Sequence, residues 1–189
     1  MTPLALLKLV TSELVNTEYQ FALAGGLAAS VYRDRPRLTN DVDLAFMASD
    51  GSCSRELAES VIKRMGLDPS VGWIVDSQGA LASGIALVVG RFPGDVSQPT
   101  LDLLLPILPW VPLAIERAKY NKLDYGFGLI PTITPEDLIL SKAFALQLSP
   151  DRLQDLDDIR SIFAGDNELD LEYLRARAGE LSISSIPGL

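Results

Sequence analysis

The sequence predicts an α+β fold with a mostly helical C-terminal part, and three observations carry that reading. Short strand-like apolar runs alternate with helical patterns in the order β, α, β, α, β, β, β, after which helical patterns dominate. The stretch Pro106–Pro112, PILPWVP, carries three prolines and marks a seam. Residues 1–110 therefore read as one domain and 111–189 as a mostly helical subdomain. A chain of 189 residues, 48% of them hydrophobic, buries roughly 70% of its unfolded surface, enough for a full core without staples.

Each element has its own signal. Leu4, Leu7, Val10 or Thr11, and Leu14 recur at helical spacing, so residues 3–16 form a helix with one buried stripe. YQFALA, residues 19–24, is short and apolar and ends in Gly25-Gly26, a strand running into a tight turn. The small residues that follow Leu27 suit a helix to Tyr32 packed closely on a sheet. DVDLAF, opening at Asp41, alternates as a second strand reaching Met47. Residues 54–66 form a helix that Gly66 ends. VGWIVD, GIALVVGRF and PTLDLLLP are three further strands separated by Ser, Gly and Pro turns.

Beyond the seam, Leu113 to Lys119 is a short helix and Tyr125 to Ile133 is extended. Thr134-Pro135-Glu136-Asp137 supplies an N-cap, a proline at the first helical position and an acidic third residue, opening a helix to about Leu148. Ser149-Pro150-Asp151 repeats the device for a helix to about Phe163. A last amphipathic helix covers 168–178, and the tail ISSIPGL is expected to fray or dock loosely.

Composition removes several chemistries. The chain has no histidine, so neither a Ser-His-Asp nor a Cys-His relay is available, nor a His-rich zinc or iron site. Acid-base and metal chemistry must run on carboxylates, Lys, Tyr or Arg. The one cysteine, Cys53, has no disulfide partner and fits a reducing compartment, which points to a cytoplasmic protein. A net charge of −9 argues against general coating of nucleic acid or anionic membrane. No run reaches the roughly 18 apolar residues of a membrane span, and no membrane association is expected.

Within that frame the acids stand out. Asp41 and Asp43 are one residue apart in an apolar strand, so their side chains share a sheet face and repel unless a cation sits between them. Asp102, in TLDLLLP, is a third acid in an otherwise apolar strand, sharing a face with Thr100 and Leu104. Three carboxylates on adjacent strands make a hard, oxygen-rich site suited to Mg²⁺. Gly25-Gly26 closes a strand and opens a helix, a place where backbone can approach phosphate. It is neither a Walker A loop nor a dinucleotide fingerprint.

Together these residues resemble a known family. ALAGGLAASVYRDRPRLTNDVDLAF matches the GG…RxTxDhDh motif (h, hydrophobic) of nucleotidyltransferases in the DNA polymerase β superfamily. The resemblance implies a polymerase β-type mixed sheet with flanking helices and a C-terminal helical subdomain completing the NTP site. It places Gly25 and Gly26 in the triphosphate turn, Arg37 and Thr39 beside the nucleotide, and Asp41, Asp43 and Asp102 on Mg²⁺ or Mn²⁺. Many superfamily members carry Ser where this chain has Gly26, which leaves Thr39 or Ser30 to supply a hydroxyl.

A second match is independent of the first. ITPEDLILSKAFAL followed by RLQDLDDIRSIF resembles the signature of the AbiEii-like family, toxins of type IV toxin-antitoxin systems and their relatives, including the MenT group. Lys142 sits on an apolar helix, where a charge needs a partner or ligand, and the resemblance carries it to the triphosphate as a point charge. Arg152, Asp155 and Asp158 follow at i, i+3 and i+6, roughly on one helix face. Asp155 or Asp158 would orient Lys142, while Asp151 and Asp157 face solvent.

The expected activity is transfer of NMP from an NTP to an acceptor hydroxyl, with Asp102 accepting the proton. Resemblance points to tRNA or another RNA as acceptor, with toxicity as outcome and a cognate antitoxin as partner. A small-molecule acceptor such as an antibiotic, or a catalytically silent nucleotide-binding module, is the alternative. Arg33, Arg35 and Arg37, then Arg117, Lys119 and Lys122, form local basic clusters for RNA phosphates or for the NTP itself.

Overall fold

The structure, a computed structural model, describes residues 1–75 and 84–189. Asp76 and the turn expected between VGWIVD and GIALVVGRF lie outside the described residues.

Helix α1 (Pro3–Leu14) opens on Thr2, whose hydroxyl accepts from the Ala5 N–H, with proline in its first turn. Its buried stripe is Leu6, Leu7, Val10, Thr11 and Leu14, while Leu4 is 44% exposed. Leu4 was expected on that stripe; the apolar residues at 4, 6 and 7 admit two phases, and packing selects the one that buries adjacent leucines. Strand β1 (Gln20–Leu23) runs directly into α2 (Gly25–Tyr32). Strand β2 (Asp41–Met47) and helix α3 (Arg55–Arg64) follow, the latter capped by Ser54. Strands β3 (Asp68–Val75), β4 (Gly84–Arg91) and β5 (Thr100–Leu104) complete the α+β part.

The five strands form one mixed sheet in the order β1-β2-β5-β4-β3. β2 and β5 are parallel neighbours, and the remaining pairs are antiparallel. The parallel register sets Asp43 opposite Asp102 and Asp41 opposite Thr100. One face buries Val42, Leu44, Ala86, Val88, Leu101 and Leu103 completely. Helix α3 covers part of it: a Cβ on Gly90 would fall 2.8 Å from Ile62, so only glycine admits that approach. The opposite face presents the three acids.

Helix α4 (Val111–Ala118) begins two residues before the expected start, with Pro112 in its first turn. The extended segment is a small hairpin, β6 (Lys122–Asp124) with β7 (Leu129–Pro131), joined through Gly126 and Gly128 at positive φ. A bridge between Leu23 and Thr132 seats it beside β1. Helix α5 (Pro135–Leu148) has the expected cap, Thr134 accepting from the Asp137 N–H at 3.3 Å. Two expectations fail here. Ser149-Pro150-Asp151 does not cap the next helix: Ser149 closes α5 and bonds to Asp151, and α6 (Leu153–Ala164) starts after Arg152. After α7 (Leu171–Glu180) the tail does not fray, because Leu181, Ile183 and Ile186 join the core and the Ser184 N–H donates to Gln147 Oε1 at 2.8 Å.

Candidate active site

The site forms where β1 hands over to α2. The Ala24 N–H donates to the Asp43 carbonyl at 2.9 Å, which presses the next residue against the Asp43 side chain. That residue is Gly25, at φ +57°, and a Cβ on it would lie 1.8 Å from Asp43 Oδ2. Only glycine satisfies both conditions. The Gly26 N–H donates to the same oxygen at 3.4 Å, and α2 opens with no side-chain cap, its first residues Gly25 and Gly26 lining the cleft.

Asp41, Asp43 and Asp102 each offer a carboxylate oxygen within 4.8 Å of the others. Thr39 donates its hydroxyl to Asp41, and Thr100 donates to Asp102 at 3.0 Å. Burial, then the charges of Asp41 and Asp102, push the Asp43 carboxyl up to about 8. Burial likewise raises Asp102 to about 6, against the pull of its bond from Thr100. Asp43 and Asp102, both held toward their neutral forms, lie with Asp41 in an arrangement that a hard divalent cation relieves, and the all-oxygen donor set fits one. The absence of a hydroxyl side chain at position 26 has a local cause: Thr39 fills that space, and a Cβ on Gly26 would lie 2.4 Å from its Oγ1. Ser30 does not reach the cleft, its hydroxyl being tied to the carbonyls of Gly26 and Arg37.

Beside the acids lies a network of charges. Lys142 donates to Asp155 Oδ1 at 2.8 Å and pairs with Asp158 Oδ2 at 2.7 Å. Asp158 has no exposed surface and also takes Arg37 through both carboxylate oxygens, at 2.8 and 2.9 Å. Arg152 pairs with Asp155 while remaining half exposed at the cleft mouth. Gly25, Gly26, Arg37, Thr39, Arg152 and Asp155 line a cleft of about 350 Å³ together with Asp41, Asp43 and Lys142. Every site residue singled out in the sequence is thus at this cleft or, for Asp158 and Asp102, directly against it.

The basic clusters are corrected in part, since Arg35, Lys119 and Lys122 stay exposed but the arginines beside them are engaged. The Arg33 side chain is 8% exposed and holds Asp157 and Asp158, so with Arg37 it belongs to the interior network and is no open patch for RNA phosphates. Asp157 faces solvent as expected, yet closes this pair. Arg117 is engaged by Glu136 and Asp137 and lies 3.9 Å over the Tyr173 ring, and Lys119 pairs with Glu116. For Arg33 and Arg37 no sequence pattern separates a paired arginine from a free one, because Asp158 lies more than a hundred positions away.

A second, larger space of about 460 Å³ continues from the acids along the sheet, between Trp73, Leu87 and Leu104 on the strands and Phe144 and Leu148 on α5. Sequence reasoning missed this apolar half.

The family described as nucleotidyl transferase AbiEii toxin, type IV TA system, matches residues 9–184. The chain belongs to that family. AbiEii membership makes it a nucleotidyltransferase. Two solved structures share the fold. One is the solution structure of the antibiotic-resistance factor ANT(2'')-Ia, with TM-score 0.54 and 13% identity, covering 95% of this chain and 94% of that one. The other is the crystal structure of an antigenic nucleotidyltransferase-like protein from Paracoccidioides brasiliensis, with TM-score 0.50 and 18% identity, covering 94% and 86%. No curated protein matches this AbiEii chain in sequence. Among the described residues no helix is long and apolar enough to cross a membrane.

Proposed function

We propose that this AbiEii-family chain transfers NMP from an NTP to the hydroxyl of an RNA end, as the toxin of a cytoplasmic, MenT-like type IV toxin-antitoxin pair. The observation that carries the transfer reading is the convergence of three strand-borne carboxylates within 4.8 Å, directly beside the glycine turn. The antitoxin rests on the type IV toxin-antitoxin family, and the RNA acceptor on the family resemblance read from the sequence.

Asp41, Asp43 and Asp102 would hold Mg²⁺ or Mn²⁺. When bound, such ions align an attacking hydroxyl with the α-phosphate and neutralise charge on the departing pyrophosphate. Everything else falls to the chain's own groups. The Gly25-Gly26 turn and the first N–H groups of α2 receive phosphate oxygens. Lys142, Arg37 and Arg152 supply positive charge to the triphosphate, and Asp155 and Asp158 fix where the Lys142 ammonium and the Arg37 guanidinium point. With no histidine in the chain, Asp102 is the carboxylate placed to take the proton of the acceptor hydroxyl.

The test is incubation of the protein with each α-labelled NTP in turn, divalent metal, and either total tRNA or a panel of small hydroxylated acceptors including antibiotics. Label in tRNA supports the reading. Label in a small molecule would replace the acceptor, and metal-dependent NTP binding without transfer would make the chain a silent nucleotide-binding module.

A further inference from the structure

The larger half of the cleft has a wall unlike the rest of the site. Beyond the residues it shares with the phosphate side, Asp102 is its one charged residue among those described, and the remainder are apolar, aromatic, glycine or serine. Volume alone makes it a ligand-sized space. Besides Asp41, Asp43 and Asp102, the one carboxylate lining it among the described residues is Asp155, which Lys142 and Arg152 already pair, so a polycationic acceptor finds little free negative charge there.

The sheet edge has been altered to furnish that wall. Along β3 and β4 the pairing Val71 with Val88 and Ile74 with Ile85 defines one register, which would set Gly72 opposite Leu87 and Trp73 opposite Ala86. Trp73 would then lie on the face where Ala86 and Val88 are fully buried. Instead the register shifts on both sides of Trp73, and Trp73 pairs with Leu87. Leu87 pairs with Leu104, and Val89 with Asp102, so this face is the one that carries the acids. The irregularity thus pairs Trp73 with a residue of the acid-bearing face, and Trp73 lines the cleft beside Leu87. Glycine at 72 is required by the same device: a Cβ there would fall 2.6 Å from Val89 and 2.9 Å from Leu87. Trp73 is only partly buried and lines the cleft, with Phe144 and Leu148 of α5 across from it.

We propose that Trp73 is a stacking platform for a nucleobase bound in the apolar half of this cleft. The inference rests on the nucleotidyltransferase reading of the acids. Its chemistry is a planar, uncharged π-face beside the point of transfer, which a base supplies and a polycationic amino compound does not. The base belongs either to the NTP or to the terminal nucleotide of the acceptor.

The test uses tryptophan fluorescence of the full chain, whose other tryptophan is Trp110, in wild type and Trp73→Phe. Each is titrated with a non-hydrolysable NTP analogue and Mg²⁺, and separately with a short oligoribonucleotide. Quenching present in wild type and lost in Trp73→Phe supports the proposal. Quenching by the analogue alone assigns the base to the NTP, and quenching only by RNA assigns it to the acceptor. In kinetics, Trp73→Ala should raise KM for that same ligand roughly tenfold or more, with Trp73→Phe restoring most of the loss because it keeps a ring. Quenching by neither ligand, or a Trp73→Ala enzyme with wild-type constants for both, overturns the proposal and leaves the transfer reading standing. Absence of transfer in wild type would fail that reading instead, while the quenching titration still decides whether Trp73 meets a base.

Discussion

The ammonium of Lys142 lies 2.7 Å from a carboxylate oxygen of Asp158, a residue with no exposed surface. Asp158 is also the shared partner of Arg33 and Arg37. One buried acid therefore ties α5, α6 and the segment leading into β2 to the phosphate side of the cleft.

Removing that acid should be costly. Asp158→Ala leaves Arg33, Arg37 and Lys142 without their common partner, and the expected loss in urea denaturation is about 3–5 kcal/mol. Asp158→Asn should cost less, because it keeps the hydrogen-bonding shape.

Lys142→Ala should separate stability from function. Asp158 keeps two arginines, so the fold loses clearly less than in Asp158→Ala. The transfer rate at low NTP should fall about tenfold to a hundredfold, the value of a charge-assisted bond to phosphate. An unchanged rate at low NTP would remove Lys142 from the triphosphate.

Without divalent metal, pH should act through the acids with a definite sign. Asp43 and Asp102 sit near 8 and near 6, above the ordinary 3.8. The folded protein then binds more protons than the unfolded chain over that window, so stability is highest toward pH 4 and falls as pH rises through 6 and 8. Thermal melts in EDTA from about pH 5 to 9 should show this decline in wild type and a shallower one in Asp43→Asn. Asp158 works in the opposite sense: burial raises it, but the bond from Arg37 and the charge of Lys142 outweigh burial and hold it at about 2. Its contribution is present above pH 4 and is lost as pH falls toward 2.

Gly25→Ala should damage the site directly. The new methyl must displace Asp43 Oδ2, and the backbone conformation is one that alanine rarely adopts. Transfer should drop to the level of an Asp43 variant, with a lower melting temperature. Gly51→Ala, also at positive φ but with open space around it, is the control that should cost stability alone.

The acids, the glycine turn and Lys142 were legible because their chemistry is local: alternation in a strand puts Asp41 and Asp43 on one face, and Thr134-Pro135 announces the helix that carries Lys142. The order along the chain of the five strands of the main sheet was readable for the same reason, whereas the β6-β7 hairpin was read as one extended segment from Tyr125. What was not legible depends on long-range pairing. Arg33 looked like part of an open basic patch until Asp157 and Asp158 met it from α6. Trp73 stands in an apolar strand run with nothing to mark it as a cleft residue, and its place beside Leu87 follows from the irregular pairing with β4. The C-terminal isoleucines read as a loose tail because nothing in ISSIPGL shows the surface it packs on.

The most direct measurement is transfer of label from an α-labelled NTP by wild type and Asp43→Asn at saturating Mg²⁺, alongside their melting temperatures without metal. The account predicts that the variant folds, melts no lower than wild type because Asn has no carboxylate to neutralise on burial, and loses transfer by orders of magnitude. An unfolded variant, or one that still transfers label at the wild-type rate, would show that these carboxylates serve the fold and not the reaction.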